Sequence, residues 1–358
     1  MLLPTIQQLL NDYYDPYLKT TWGEAKVIKR CELAGEQLRI AVTLGYPLAQ
    51  PDQLLAPLKA SLAAVPNLPP IDLQLTSRIE PHVTQPNVAA LTNVKNVIAV
   101  GSGKGGVGKS TTTVNLALAL LAEGARVGVL DADIYGPNQP LMLGGQQRLQ
   151  LESGQPLPPV WLHGLQTMSM GYLIDPATPM IWRGPMVSSA LQQLARDTAW
   201  EELDYLFVDL PPGTGDIQLT LSQKIPVAGA VIVTTPQDVA LIDARKGLEM
   251  FRKVNVPVLG IVENMSMHIC SQCGHSEAIF GADGAQQLAA QTETELLGQL
   301  PLAKSIREQA DAGKPTVVAE PAGEIAQVYR SIARRLAGKL SLQPKNYAGK
   351  FPQIVVEK

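Results

Sequence analysis

The stretch Val97-Ile98-Ala99-Val100-Gly101-Ser102-Gly103-Lys104-Gly105-Gly106-Val107-Gly108-Lys109-Ser110-Thr111 decides the fold. Its apolar opening, Val97 to Val100, predicts a buried strand, and Thr111 to Glu123 has the spacing of a helix. Between them Gly103, Gly108, Lys109 and Ser110 occupy the fixed positions of a phosphate-binding loop. Glycines let backbone N–H groups turn inward around phosphate oxygens, and a helix start adds partial positive charge. In such a loop, running from Gly103 through Gly105, Gly106 and Val107 to Thr111, Lys109 reaches the β- and γ-phosphates and the Ser110 hydroxyl binds Mg²⁺. Gly103, Gly105 and Gly108 also satisfy the dinucleotide pattern G-x-G-x-x-G; the Lys-Ser ending and a later strand closing on Asp209 favour the phosphate loop. Lys104 is an additional lysine at the loop's second position. A second cation there would neutralise transition-state charge, as an arginine finger does; a solvated surface lysine is the plainer alternative.

Two acidic strand ends complete the expected site. Val127 to Leu130 runs into Asp131-Ala132-Asp133, and Leu206 to Val208 runs into Asp209-Leu210-Pro211-Pro212-Gly213. Ligands of open α/β sheets sit beyond the carboxyl ends of the strands. Asp209 suits a metal-holding role through water and Asp133 the positioning of an attacking water, while Asp131 reads equally well as a turn former.

Working outward, short β-branched runs at Arg126–Leu130, Tyr205–Val208, Ala228–Val233 and Val258–Val262 alternate with helical patterns at Asp238–Val254 and Ile325–Leu340. Continuous apolar strands imply a mostly parallel sheet covered on both faces, hence an α/β phosphate-loop domain over residues 95–340. Residues 1–80 read as a small α+β domain. Thr5–Tyr14 and Pro51–Val65 are helical, Leu38, Ile40, Val42 and Leu44 alternate along a half-buried strand, and Ile71, Leu73 and Leu75 alternate again. Residues 81–94 read as a linker, and 341–358, with Pro344 and Pro352, as a surface extension.

Composition narrows the function. The 358 residues carry 29 Lys and Arg against 32 Asp and Glu, a net charge of −3, which argues against a general nucleic-acid binder. At 46% hydrophobic and 17% charged the chain can bury a sizeable core. No apolar run reaches the ~18 residues of a membrane span, and Met1–Leu10 lacks the basic start of a secretory signal. The expectation is a soluble, cytoplasmic protein acting without membrane or nucleic acid.

Three cysteines make no disulfide framework. Cys270-Ser271-Gln272-Cys273 lets two thiolates face one metal or cluster, half of a tetrahedral set. A second chain can supply the other pair, which suits a 4Fe–4S cluster. Alternatively His268 and His275 complete a zinc site, or the pair is a redox dithiol. Spacing alone does not choose among these.

At this point GKGGVGKST, DADIYGPN, WRGPM, DLPPGTGD, VTTPQDVALIDA, GIVENMS and CSQCGH, in that order over roughly residues 95–335, resemble the Mrp/ApbC family of iron–sulfur cluster carriers among the MinD-like deviant Walker-A ATPases. The N-terminal unit is similar to a small domain shared with other iron–sulfur assembly proteins, without a cysteine motif of its own, since Cys31 lies in a strand-like stretch. The resemblance implies a homodimer that binds and hydrolyses ATP with Mg²⁺, holds a labile 4Fe–4S cluster between two Cys270/Cys273 pairs, and works between the iron–sulfur assembly machinery and recipient apoproteins. It gives Lys104 a reach to the partner's nucleotide, Asp133 the switch I role and Asp209 the switch II role. Asn264 looks like the adenine-contacting asparagine, since an amide offers both a donor and an acceptor. Rival readings are a MinD/ParA-like spatial regulator, disfavoured by the proline-broken tail and the charge, and a zinc-binding ATPase.

Overall fold

The computed structural model describes residues 2–145, 148–149, 155–174, 184–270 and 272–346. Trp182 and Arg183 of the WRGPM string, Ser271 of the cysteine loop and the tail from 347 lie outside the described residues.

The N-terminal unit begins with α1 (Leu2–Asp12), then β1 (Ile28–Ala34), β2 (Gln37–Leu44), α2 (Asp52–Ala63) and β3 (Ile71–Ser77). β1 and β2 are antiparallel, β2 and β3 parallel. The alternation expected along β2 holds: Leu38, Ile40, Val42 and Leu44 are all buried, with Gln37 and Arg39 exposed. Asp15 is fully buried beneath this unit, accepting from the backbone of Tyr17 and Leu18, from Trp22 Nε1 and from Tyr46 Oη. That set of donors replaces the water a buried carboxylate loses.

The remainder contains β4 (Val94–Gly101), α3 (Lys109–Ala122), β5 (Val127–Asp131), α4 (Gln139–Met142), β6 (Val160–Leu162), β7 (Leu165–Ser169), α5 (Gly184–Asp197), β8 (Leu203–Asp209), α6 (Asp216–Lys224), β9 (Val227–Thr234), α7 (Asp238–Lys253), β10 (Val258–Glu263), α8 (Gly284–Gln291), β11 (Leu296–Gln299), α9 (Lys304–Asp311), α10 (Thr316–Ala319) and α11 (Glu324–Ser341). Among the described residues eight strands form one sheet in the order β11-β10-β9-β4-β8-β5-β7-β6, and only the β6–β7 pair is antiparallel. Its core residues sort by parity. Ile98 and Val100 face the layer of α3 and α11, whereas Val97 and Ala99 face that of α5 to α8; Phe207 and Val208 divide in the same way. This is the two-sided burial that continuous apolar strands require. The first of these layers runs without a break into the core of the N-terminal unit.

The segment expected as a linker is pinned by side chains. Asn96 Oδ1 accepts from the backbone and ring of His82, Asn96 Nδ2 donates to Glu80 O, and Gln85 pairs with Ser222 O and Val227 N. Past α11 the chain turns back onto it, Val83 N to Pro344 O and Asn346 N to Pro81 O at 2.9 Å each. Pro81, Pro86 and weak periodicity mark this stretch as a linker in the sequence, and polar side chains that hold it leave no periodic trace.

Parallel register places the functional ends together. Asp209 pairs with Val100 on one side and with Asp131 on the other, so three strand termini open on the start of α3.

Candidate functional site

The loop from Gly103 to Ser110 leaves β4 and enters α3 at Lys109, as a phosphate loop must. Two of its glycines are sterically required. A Cβ on Gly103 would stand 2.1 Å from the backbone of Asp243 on α7, and one on Gly108, at φ +80°, would stand 2.1 Å from Asn264 Nδ2.

Lys109 is buried, and its Nζ lies 2.6 Å from Asp209 Oδ1 and 3.1 Å from Ser110 Oγ. Asp209 is fully buried as well. Thr113 Oγ1 shares its one proton between Lys109 O at 2.9 Å and Oδ1 at 3.0 Å, and Gln139 Nε2 donates to Oδ2 at 3.0 Å. Lys109, Ser110 and Asp209, expected at the phosphates and the metal, therefore lie side by side. The oxygen set of Ser110 and Asp209 has the hard-donor chemistry that Mg²⁺ takes, so the residues present fit that cation.

Asp131 is also buried. Its Oδ1 accepts from Asp133 N at 3.2 Å, and its Oδ2 from Gln139 N and Ser169 Oγ at 3.1 Å each. Burial, and then the neighbouring Asp209 charge, push its carboxyl up to about 7. The turn-forming reading of Asp131 is thus the one its contacts support. Half-buried Asp133 lines the cavity; burial raises its carboxyl while Lys109 pulls the other way. Lys104 is half-buried and its Nζ stands 3.5 Å from Gln237 Oε1, just ahead of α7.

A cavity of about 550 Å³ adjoins these groups, walled by the loop, Asp133, Pro212, Asn264, Met265, Leu302 and α9. Asn264 Nδ2 donates to Val107 O at 2.9 Å, which fixes the amide beneath the loop and leaves its oxygen for an incoming donor.

Beyond Met265 the chain forms a hairpin, His268–Ile269 against Ser276–Glu277, with the cysteine pair at its tip. Cys270 N donates to His275 O and Gly274 N to Cys270 O, both at 2.9 Å. Cys270 is partly exposed and Cys273 exposed. Backbone N–H groups of Cys273 and Gln272 aimed at the Cys270 sulfur lower its thiol from the ordinary value. His268 Nδ1 lies 3.1 Å from Leu302 O, so one ring nitrogen is engaged away from the pair. Among the described residues no three His, Cys, Asp or Glu side chains assemble as a metal set within the chain. Cys31 lies on β1 in the N-terminal unit.

Gln139 and Thr113 were not among the residues anticipated from the sequence. Thr113 could have been, as it stands one helical turn after Lys109 and faces the same way. Gln139 carries no such signal, since its partner Asp209 is 70 positions distant.

A family model described as ParA, NUBPL iron-transfer P-loop NTPase, matches residues 93–337. An iron–sulfur cluster carrier protein of Salmonella typhimurium is 51% identical over 344 residues, covering 96% of this chain and 93% of that protein. The iron–sulfur cluster transfer protein NUBPL of Mus musculus is 51% identical over 262 residues, 73% of this chain and 82% of that one. Among solved structures, a nucleotide-binding protein of Archaeoglobus fulgidus in complex with ADP superposes with a TM-score of 0.56 at 36% identity, over 65% of this chain and 90% of that one. The cell division ATPase MinD of Pyrococcus furiosus shares the fold, with a TM-score of 0.53 at 22% identity over 67% of this chain and 97% of its own. With a phosphate loop assembled on its buried aspartate and relatives matched along nearly its whole length, the chain belongs to the NUBPL-type iron-transfer P-loop NTPases, the family of the iron–sulfur cluster carrier proteins.

Proposed function

We propose that the chain binds and hydrolyses ATP with Mg²⁺ and, as a homodimer, carries a labile 4Fe–4S cluster between the Cys270/Cys273 pairs of two copies, handing it to apoproteins. The observation that carries this reading is one strand end serving both sites. From β10 the chain passes through Asn264 and Met265, which wall the cavity, directly into the hairpin that bears the thiols. The hairpin base is bonded to the same wall, Leu302 N to Met267 O at 2.8 Å and His268 to Leu302 O. A nucleotide that shifts this wall shifts the cysteine loop, which is the coupling a carrier needs.

In this reading Lys109 exchanges Asp209 for the phosphates, while Ser110 and Asp209 hold Mg²⁺, which when bound neutralises phosphate charge. Asp133 orients the attacking water, and the Asn264 oxygen accepts from the adenine amine. Lys104 reaches toward the partner's nucleotide, with residues 95–340 as the ATPase and 1–80 as an accessory domain. The ADP held by the Archaeoglobus fulgidus relative supports the nucleotide assignment. Cluster supply falls to the iron–sulfur assembly machinery.

Anaerobic reconstitution with iron and sulfide, followed by metal analysis, tests the cargo. The expected result is four iron and four sulfide per dimer, the stoichiometry of a cluster on four thiolates. Zinc without sulfide, bound one per chain and dependent on His268 and His275, would overturn it.

A further inference from the structure

We propose that Gln139 is a positioning residue for hydrolysis: its side-chain amide holds the Asp209 carboxylate in place when Lys109 leaves it, and ties that carboxylate to the loop carrying Asp133. The proposal rests on the nucleotide and Mg²⁺ reading of the phosphate loop and goes beyond it.

The geometry shows an amide chosen for its contacts rather than for packing. Gln139 opens α4 and is 1% exposed. Its Nε2 lies 3.0 Å from Asp209 Oδ2 and 3.1 Å from the carbonyl of Ser110. Two acceptors facing that end identify it as the nitrogen. The other end, Oε1, is buried without a hydrogen-bond partner. An orphaned buried acceptor is a standing cost, and a methionine or leucine would fill the same space without it. What offsets the cost is the contact with Asp209.

That contact matters because of the exchange Lys109 must make. With Lys109 on the phosphates, the donors Asp209 keeps among the described side chains are neutral, the Thr113 hydroxyl it shares with Lys109 O on Oδ1 and Gln139 on Oδ2. One donor on each oxygen fixes the plane of the carboxylate while leaving its charge for a cation. Removing Gln139 leaves Oδ2 undirected.

The backbone of Gln139 extends the connection. Asp131 accepts from Gln139 N on one oxygen and from Asp133 N on the other, so a single carboxylate closes the segment from Asp133 to Gln139 at both ends. Through Gln139 the position of Asp209 is therefore linked to the loop that presents Asp133 to the cavity.

The test is ATP titration of the full-length protein by calorimetry, in EDTA and in Mg²⁺, for the parent and Gln139→Met. In the variant, affinity in EDTA stays within about twofold of the parent, whereas the increment contributed by Mg²⁺ falls about tenfold, the usual scale for losing a partner of a metal-holding carboxylate. Mn²⁺ binding to the ATP complex, followed by electron paramagnetic resonance, falls by the same factor. Gln139→Asn, which keeps the amide but shortens it by a methylene, gives the same split and serves if Gln139→Met does not fold. An unchanged Mg²⁺ increment, or equal losses in EDTA and in Mg²⁺, would overturn the proposal and leave Gln139 a packing residue. A parent that binds no ATP in EDTA or in Mg²⁺ would instead sink the phosphate-loop reading, and a parent indifferent to Mg²⁺ would sink the metal role of Asp209 together with that of Gln139.

Discussion

The phosphate loop and the cysteine hairpin lie along one continuous wall and are built in opposite ways. At the loop, Lys109, Asp131, Gln139 and Asp209 are buried, each carboxylate oxygen has a donor, and Gly103 is wedged against α7. At the hairpin, two residues per strand make the ladder, Cys273 is exposed and Cys270 partly so. A site that must form the same geometry at every turnover gains from being over-determined. One that must release its cargo gains from having few bonds to break. The difference teaches that a single chain can place its rigidity at the phosphate loop and its exposure at the thiols, joined by the short run from Asn264 to Met267, which in the proposed reading sets a fixed nucleotide site beside a labile cluster.

The sharpest way to break this contrast is at its rigid end. Lys109→Ala removes the charge that faces the phosphates and leaves Asp209 buried with neutral donors alone. ATP turnover is expected to fall about a hundredfold or more in a steady-state phosphate-release assay. Turnover at the parental rate would show that the loop is not the hydrolytic site. At the exposed end, if the proposed dimeric site holds, Cys270→Ala or Cys273→Ala removes two of its four thiolates at once. Iron and sulfide retained after anaerobic reconstitution should drop sharply, with ATP affinity by calorimetry unchanged, and Cys31→Ala should alter neither. If a cysteine variant kept its cluster, the hairpin would not be the carrier site. A smaller effect is expected at Lys104, where Lys104→Ala should lower kcat and spare ATP affinity. A parallel loss of affinity would show that this lysine serves its own chain's nucleotide.

Much of the rigid end was legible, because the phosphate loop is a local pattern: Gly103, Gly108, Lys109 and Ser110 act within eight residues, and Asp209 announces itself by closing an apolar strand. Five strands of the central sheet, β4, β5, β8, β9 and β10, declared themselves in the same way. What escaped were contacts between distant segments. Gln139 reaches Asp209, Gln85 reaches Ser222 and Asn96 reaches Glu80, and a polar side chain that completes someone else's hydrogen bond looks in sequence like any surface residue. Short elements escaped too: β6 has three residues and β11 four, too few to show a period. That the cysteine loop follows the strand Val258–Val262 was legible from chain order; its hairpin pairing and its bond to Leu302 were not, because C-x-x-C spacing says nothing of distant partners.

The least local feature yields the smallest and most specific prediction, at the far end of the phosphate-loop helix. Glu123 closes α3 with its carboxylate fully buried, accepting from Arg330 Nε at 2.7 Å, Arg334 Nη2 at 2.6 Å and Ala49 N at 2.9 Å. Arg334 also donates to Tyr17 Oη at 3.0 Å, so the N-terminal unit, α3 and α11 share one ionic cluster. Burial raises the carboxyl, but the hydrogen bonds from Arg334, Arg330 and Ala49 outweigh it, and the net position lies below the ordinary value of 4.5. A group depressed in the folded state contributes stability above its unfolded pKa and loses it as pH falls through the folded one. Glu123→Gln strands two arginines against a neutral amide, and urea unfolding at pH 7 should show a loss of about 3 kcal/mol, the lower end for breaking a buried pair. Below the ordinary carboxylate pKa the unfolded parent takes up a proton that folded Glu123 still excludes, and below the depressed folded pKa Glu123 is protonated as well, so the gap between parent and variant should close as the pH drops. The hairpin, which has no such backing, should retain its cluster per folded dimer in Glu123→Gln. A stability gap that stayed constant from pH 7 down through the acid range would show that the cluster is packing rather than charge, and that the rigidity of the nucleotide end does not depend on this clamp.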